Sequence, residues 1–351
     1  MRQRAEPFDS PAVPGGRLDP RRRPETRNID RGEFHRPTAS LAGGSLRTLG
    51  CPAFLMNLPL SLSTDVPNNR LMREMADSDR QLNRRKAISQ FMALYRFLSA
   101  QAVVYLLPST PHLQDQPYVA NIGAVLPHLP EETVVVSRFR SVPRIGEADV
   151  ALEFFRLLNF HVHRPPALCA RNEPIYFEGE ADLKHVRDNL YIGAHGLRTS
   201  RNALRWFADS FDMRIIEYPV TDEYLYHLDC CLLLLDPETI VLCRRHTDPQ
   251  ALRAIEKECH IENVTRENVR SGLTNSVVFG KYLLCDSPIG EIAKTHSYYP
   301  SEKAKIAKLE KLCAQYGLEP AIFNLSEFLK SGAALSCLIM RLNHQKSRCD
   351  N

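Results

Sequence analysis

The chain has 351 residues, 44% hydrophobic and 25% charged, with a formal net charge of +4. This is a globular composition, and no apolar run approaches the roughly 18 residues that a membrane-spanning helix requires. The charge is local: residues 1–50 hold ten arginines, no lysine and six acids, leaving 35 of the 45 basic and 35 of the 41 acidic residues for 51–351. A body so balanced lacks the electrostatic footprint of a nucleic-acid-binding protein.

In chain order, residues 1–50 show no apolar periodicity and are dense in Pro, Gly and Arg, so a disordered tail is expected there. Its acids argue against a mitochondrial transit peptide, and it lacks the hydrophobic stretch of a secretory signal. The spacing of Leu82, Ile88, Phe91, Met92, Tyr95 and Leu98 predicts a helix over 78–98. "AVVYLLP" (102–108) and "TVVVSRF" (133–139) read as buried strands, followed by a helix over 147–158. "NLYIGA" leads to a helix over 200–210 and then to the strand "RIIEYPV". "CCLLLLDPETIVLC" reads as two strands around an Asp-Pro turn, ahead of a helix over 249–259 and "IENVT". "NSVVFGKYLLC" is again two strands, ahead of a helix over 302–316 and "PAIFNL". Behind the turn residues Ser331 and Gly332, the apolar run Leu338, Ile339 and Met340 predicts a last buried strand with Cys337 at its entry. Residues 345–351 form a short polar tail, which makes 51–344 a single expected domain.

Strand, turn, strand, helix, strand recurs at a spacing of roughly 40–60 residues, and such self-similarity marks a repeat architecture. Each unit has one apolar sheet face and one amphipathic helix, so neighbouring units must share a core in an α/β fold. No GxGxxG follows a first strand, which discourages dinucleotide binding. The ten cysteines include no CxxC pair, so reduced thiols in a cytoplasmic protein are expected. His161, His163 and Cys169 could in principle bind zinc, but no second ligand pair follows at finger spacing, and no metal site is expected.

Polar residues gather at strand ends in "LQDQPYVANIG" (113–123), "FEGEADLKH" (177–185), "YHLDCC" (226–231) and "SGAALSC" (331–337). Each has a plain structural reading: Asp115 and Asn121 as turn caps, Glu178 and Asp182 as solvated acids, His227 as a satisfied core histidine, Cys337 as a small hydrophobe. Together they suggest chemistry. A thiol needs a low pKa or a nearby base to attack carbon at neutral pH. His227 is a candidate acid and base, and Asp229, two residues on, would share its strand face. Carboxylates at Asp115, Glu178, Asp182 and Asp229 suit a permanently cationic guanidinium.

These motifs, with "FLMNLPLSLSTDVPNN" (54–69), resemble the guanidine-modifying superfamily of arginine deiminase, dimethylargininase and glycine amidinotransferase, and are closest to its arginine dihydrolase branch. The resemblance spans nearly all of 51–351. It implies a five-bladed α/β propeller of ββαβ-type units around a pseudo-fivefold axis, with the active site in the central channel. It also implies Cys337 as nucleophile, His227 as general acid and base, and Glu178 and Asp229 as acids at the guanidine nitrogens. Asp182 would be a further substrate-contacting acid. Arg140 and Arg198 would hold the α-carboxylate and Asp115 would meet the amino-acid end, with Asn68 and Asn69 in a substrate-contacting loop. Asn121 stands where deiminases carry a carboxylate. An amide can donate or accept, so it could serve both the cation and a neutral ureido intermediate.

The implied activity is hydrolysis of arginine through a covalent thiouronium, ending at ornithine, ammonia and carbon dioxide, without metal or organic cofactor. Deiminase, dimethylargininase and amidinotransferase outcomes remain open alternatives, as does an arginine-binding protein without turnover. The expected partner is a small guanidino amino acid; no nucleic acid or membrane partner is expected, and a homo-oligomer is possible.

Overall fold

The computed structural model describes residues 45–343. Among them, fifteen strands form five three-stranded sheets. In each sheet the middle strand pairs antiparallel with one neighbour and parallel with the other. Strands β1 (Ala53–Asn57) and β2 (Val103–Leu107) are parallel. β3 (Gly123–Val125), β4 (Thr133–Val136) and β5 (His161–His163) form the second sheet. β6 (Leu183–Arg187), β7 (Leu190–Gly196) and β8 (Arg214–Val220) form the third. β9 (Leu232–Asp236), β10 (Thr239–Leu242) and β11 (His260–Asn263) form the fourth, and β12 (Val277–Phe279), β13 (Tyr282–Asp286) and β14 (Glu319–Phe323) the fifth. The last strand, β15 (Met340–Arg341), returns to pair antiparallel with β1, placing Phe54 opposite Arg341.

A parallel pair needs a crossover, and a helix supplies it in each unit: Arg84–Ser99, Glu147–Leu157, Arg201–Phe211, Pro249–Glu256 and Tyr299–Tyr316. Arg84–Ser99 is amphipathic and buries Ala87, Phe91, Leu94 and Leu98 on one stripe. The middle strands β1, β4 and β10 are buried along their whole length, which explains their unbroken apolar runs.

Several expectations shift locally. The helix predicted over 78–98 divides into Asp77–Arg80 and Arg84–Ser99, because the Asn83 side chain accepts from Lys86 N at 3.1 Å and starts a new helix. Cys230 and Cys231 belong to a helical turn, Leu228–Cys231, rather than to a strand; His227 caps it in extended conformation, so His227 and Asp229 do not share a strand face. Cys337 lies in the one-turn 3-10 helix Leu335–Leu338, and the strand behind it is shorter than predicted. Residues 45–50, at the end of the segment read as a tail, contact the folded unit: Leu46 is buried and Arg47 donates to the carbonyls of Pro130 and Glu131 at 3.0 and 2.9 Å. The rest of that tail, and 345–351, lie outside the described residues. Among the described residues no helix is long and apolar enough to cross a membrane, and no three His, Cys, Asp or Glu side chains group to hold a metal ion.

Candidate active site

The polar residues share a place in the repeat: each stands in the turn just before the first strand of a sheet. Asn121 ends the turn Val119–Asn121 before β3. Glu178 and Asp182 flank Gly179–Ala181 before β6. His227 and Asp229 open Leu228–Cys231 before β9, and Cys337 precedes β15. The equivalent turn of the remaining unit, before β12, ends in Asn275 and Ser276.

Their contacts fall into two sets. In the first, His227 Nδ1 lies 2.9 Å from Asp182 Oδ1, and its Nε2 lies 3.1 Å from Asn121 Nδ2 and 3.5 Å from Glu178 Oε2. An amide nitrogen only donates, so Nε2 accepts and the Nδ1–H donates to Asp182. Asp182, expected among the substrate-contacting acids, engages both oxygens with protein donors: Leu228 N at 3.2 Å on the imidazole side, and Thr199 Oγ1 at 2.7 Å on the other. It orients the imidazole. Glu178 is fully buried; Oε2 accepts from Arg198 Nη1 at 3.3 Å, while Oε1 has no hydrogen-bond partner among the described residues.

In the second set, Cys337 Sγ lies 3.7 Å from Asp229 Oδ2 and 3.8 Å from Asn275 Nδ2. Ser336 Oγ donates to the same Asp229 oxygen at 2.5 Å. Burial first, and the Asp229 carboxylate second, push the Cys337 thiol up to about 12. The resting sulfur is therefore a protonated thiol. Among the described residues no hydrogen bond joins it to the imidazole; the sets are linked by the segment 227–229, which supplies His227 to one and Asp229 to the other.

The remaining expected residues make other contacts. Asn68 Nδ2 donates to Asp115 Oδ2, and burial raises Asp115 above the usual carboxylate range, with Arg144 opposing. Asn69 donates to Ser331 O at 2.8 Å and accepts from Met72 N at 2.9 Å. Arg198 donates to Asn68 O at 2.9 Å and stacks over Tyr226 at 4.8 Å. Arg140 is exposed and reaches the carbonyls of Gly196 and Leu197 at 3.3 and 3.1 Å, which brings it beside Arg198 in sequence but with no shared partner.

Four residues escaped the sequence reading. Arg144, buried and paired with Glu147 at 2.7 Å, donates to the carbonyls of Asp115 and Tyr118 and so braces the turn leading to Asn121. Thr199 links Glu178 N to Asp182. Ser336 and Asn275 complete the surroundings of the sulfur. Ser336 lies within the quoted "SGAALSC", Thr199 just ahead of the helix expected over 200–210, and the i, i+3 spacing of Arg144 and Glu147 is visible in the sequence; for Asn275 the available signal is its place before a strand pair.

Residues 59–342 match the model of the family described as N,N dimethylarginine dimethylhydrolase, eukaryotic. The chain is 26% identical over 261 residues to a bifunctional arginine dihydrolase/ornithine cyclodeaminase of Nostoc sp., a match covering 74% of this chain and 34% of that protein. It thus spans about a third of the length of that relative. It is 24% identical over 306 residues to the N(G),N(G)-dimethylarginine dimethylaminohydrolase of Mycobacterium tuberculosis, covering 87% of this chain and 90% of that one. Its fold is shared with the N-terminal domain of a cyanobacterial arginine dihydrolase bound to product, at TM-score 0.71, 22% identity, and coverage of 84% and 98%. A dimethylarginine dimethylaminohydrolase structure matches at TM-score 0.62 and 15% identity, with coverage of 83% and 99%. The chain belongs to the N,N dimethylarginine dimethylhydrolase, eukaryotic, family, in the guanidine-modifying superfamily and near its arginine dihydrolase branch.

Proposed function

We propose that this chain is a cysteine-dependent hydrolase of guanidino C–N bonds, with arginine as substrate and ornithine, ammonia and carbon dioxide as products. The observation that carries the reading is the fully buried Glu178 carboxylate: Oε1 is left without a donor among the described residues, while Oε2 takes Arg198, 20 positions on, and lies 3.5 Å from the imidazole of His227. A buried carboxylate oxygen demands a donor, and a guanidinium supplies several in one plane. The cyanobacterial arginine dihydrolase whose N-terminal domain shares the fold is known bound to product and, as a cysteine-to-serine mutant, bound to substrate. We extend this to the full architecture: the five units close around a pseudo-fivefold axis, and the strand-entry turns face a central channel.

In this scheme Arg140 and Arg198 hold the α-carboxylate and Asp115, Asn68 and Asn69 meet the amino-acid end. The guanidinium lies among Glu178, Asp229 and Asn121. Its charge opposes the burial and, second, the Asp229 field that keep the sulfur protonated, so the thiol ionises as substrate arrives. The thiol proton passes to His227 Nε2, the Cys337 thiolate attacks the guanidine carbon, and the imidazolium so formed returns that proton to the departing ammonia. His227 then takes a proton from water, which displaces the sulfur and leaves a ureido group. In a second round the sulfur adds to the ureido carbon, another ammonia departs, and water releases a carbamate that breaks down to ornithine and carbon dioxide. The amide of Asn121 can serve the cation and the neutral ureido group alike.

The family match favours a second reading, in which dimethylarginine loses dimethylamine and gives citrulline. Product balance separates the two. Purified protein is incubated with arginine, citrulline, agmatine and dimethylarginine side by side. Ornithine with about two ammonia per arginine is expected, and a Cys337→Ala variant should lose it. Citrulline as sole product, turnover of dimethylarginine alone, or full activity in the variant would overturn the proposal.

A further inference from the structure

Four of the five strand-entry turns contribute a residue to the scheme above, and the fifth holds Asn275, which the scheme does not use. Asn275 is buried, at 2% exposure. Its backbone N–H closes the turn on Gly272 O at 3.1 Å. Its Oδ1 accepts from Ser336 N at 2.9 Å, which fixes which end of the amide is nitrogen, and Nδ2 is then turned to the sulfur of the next residue.

We propose that Asn275 is the hydrogen-bond donor that receives the Cys337 sulfur as it ionises. This deepens the reading of Cys337 as nucleophile and rests on it. A thiol can donate to Asp229 Oδ2, 3.7 Å away, but a thiolate cannot, and it is repelled by that carboxylate. The amide N–H at 3.8 Å is the partner that improves when the proton leaves, since donors to an anion bind more strongly than donors to a neutral group. Other ionisable groups around the sulfur do not replace it: Asp229 raises the thiol, and Arg144, whose charge lowers it, is held in its pair with Glu147. The Asn275 amide lowers the thiol against Asp229, as does the backbone at Ala334. Asn275 thus holds the turn carrying the nucleophile with one end of its amide and the nucleophile itself with the other.

The test is the rate at which iodoacetamide alkylates Cys337, followed by peptide mass spectrometry because the chain has ten cysteines. Asn275→Asp keeps the shape and an acceptor for Ser336 N but removes the donor. Asn275→Ala removes the donor and opens space beside the sulfur. At a fixed pH of about 8 the first should slow alkylation roughly tenfold, the effect of a one-unit rise in the thiol pKa, and the second several-fold. A purely structural role predicts faster alkylation in Asn275→Ala, because access improves. An unchanged or faster rate in that variant, with its fold intact by circular dichroism, would overturn the inference, and Asn275→Asp is read in the same way if the alanine variant does not fold. Alkylation needs no substrate. Loss of arginine turnover in the wild type with slowed alkylation in the variants would therefore refute the proposed activity and leave this inference standing.

Discussion

At the scale of single residues, the imidazole of His227 can move a proton usefully only if one nitrogen is held as donor and the other is left to accept. Asp182 does the holding, at 2.9 Å from Nδ1, and is itself fixed by Thr199 and the Leu228 N–H. An Asp182→Asn variant keeps the shape but can turn an N–H toward Nδ1, so the ring would adopt the other tautomer and Nε2 would lose its lone pair. Turnover should fall by about 10²- to 10⁴-fold, the range attached to a lost general acid and base. The Michaelis constant should change little, because both Asp182 oxygens face protein donors. Steady-state kinetics on arginine check this; a loss of less than tenfold, or one confined to the Michaelis constant, would return Asp182 to the substrate-contacting role its motif implied.

At the scale of elements, the site depends on short turns packed against one another, and Gly179 is where two of them touch. Its φ of +68° lies in the left-handed region, and a Cβ placed there would come 2.3 Å from Ala120 O and 2.6 Å from the Asn121 carbonyl carbon. These are backbone atoms, so neither turn can yield without moving the other. Gly179→Ala should therefore destabilise the protein by more than the roughly 1 kcal/mol of an ordinary left-handed substitution. It should also reduce turnover by displacing Asn121 from His227. Thermal unfolding and kinetics on the same sample check both; a fully active, equally stable variant would show that the turns are not in rigid contact. Such a contact is invisible in the sequence, which shows "EGEAD" and "YVANIG" as separate motifs. What could be read was the periodic part. The helices over 147–158 and 200–210 were located to within a residue or so, because alternation and helical spacing depend on local burial. The turns were not readable in the same way. Asn83 breaks one helix by capping the next, and the pair Cys230 and Cys231 packs as a helical turn although its neighbours are strand-like. Whether Asp182 meets a substrate or an imidazole depends on Thr199 and Leu228, which lie 17 and 46 positions away.

At the scale of the whole molecule, the last strand β15 pairs with β1, and the fold buries several charged side chains. One such group outside the site is in the fifth unit. There Lys305 donates to Ser271 O at 2.7 Å and pairs with Glu302 at 2.8 Å, while Ser287 donates to Glu302 at 2.6 Å. Asp286 lies with them at 1% exposure, and its Oδ1 has no hydrogen-bond partner among the described residues. Burial pushes Asp286 from 3.8 to about 6, with the positive charge of Lys305 opposing and Glu302 adding to the rise. Between about pH 4 and 6 the folded chain then carries more protons at this site than the unfolded one, so this carboxyl makes stability fall as pH rises through that window. The size is set by the shift, at about 3 kcal/mol or less. Asp286→Asn removes the titration and keeps the volume, so the stability of the variant relative to the wild type should increase by up to that amount between pH 4 and pH 7. Denaturant unfolding of both proteins at pH 4, 5, 6 and 7 measures the difference, and the other titrating groups cancel in it. A difference that stays flat or shrinks would mean that Lys305 holds Asp286 ionised throughout, and that the partnerless oxygen belongs to a charge the fold stabilises rather than to a proton it retains.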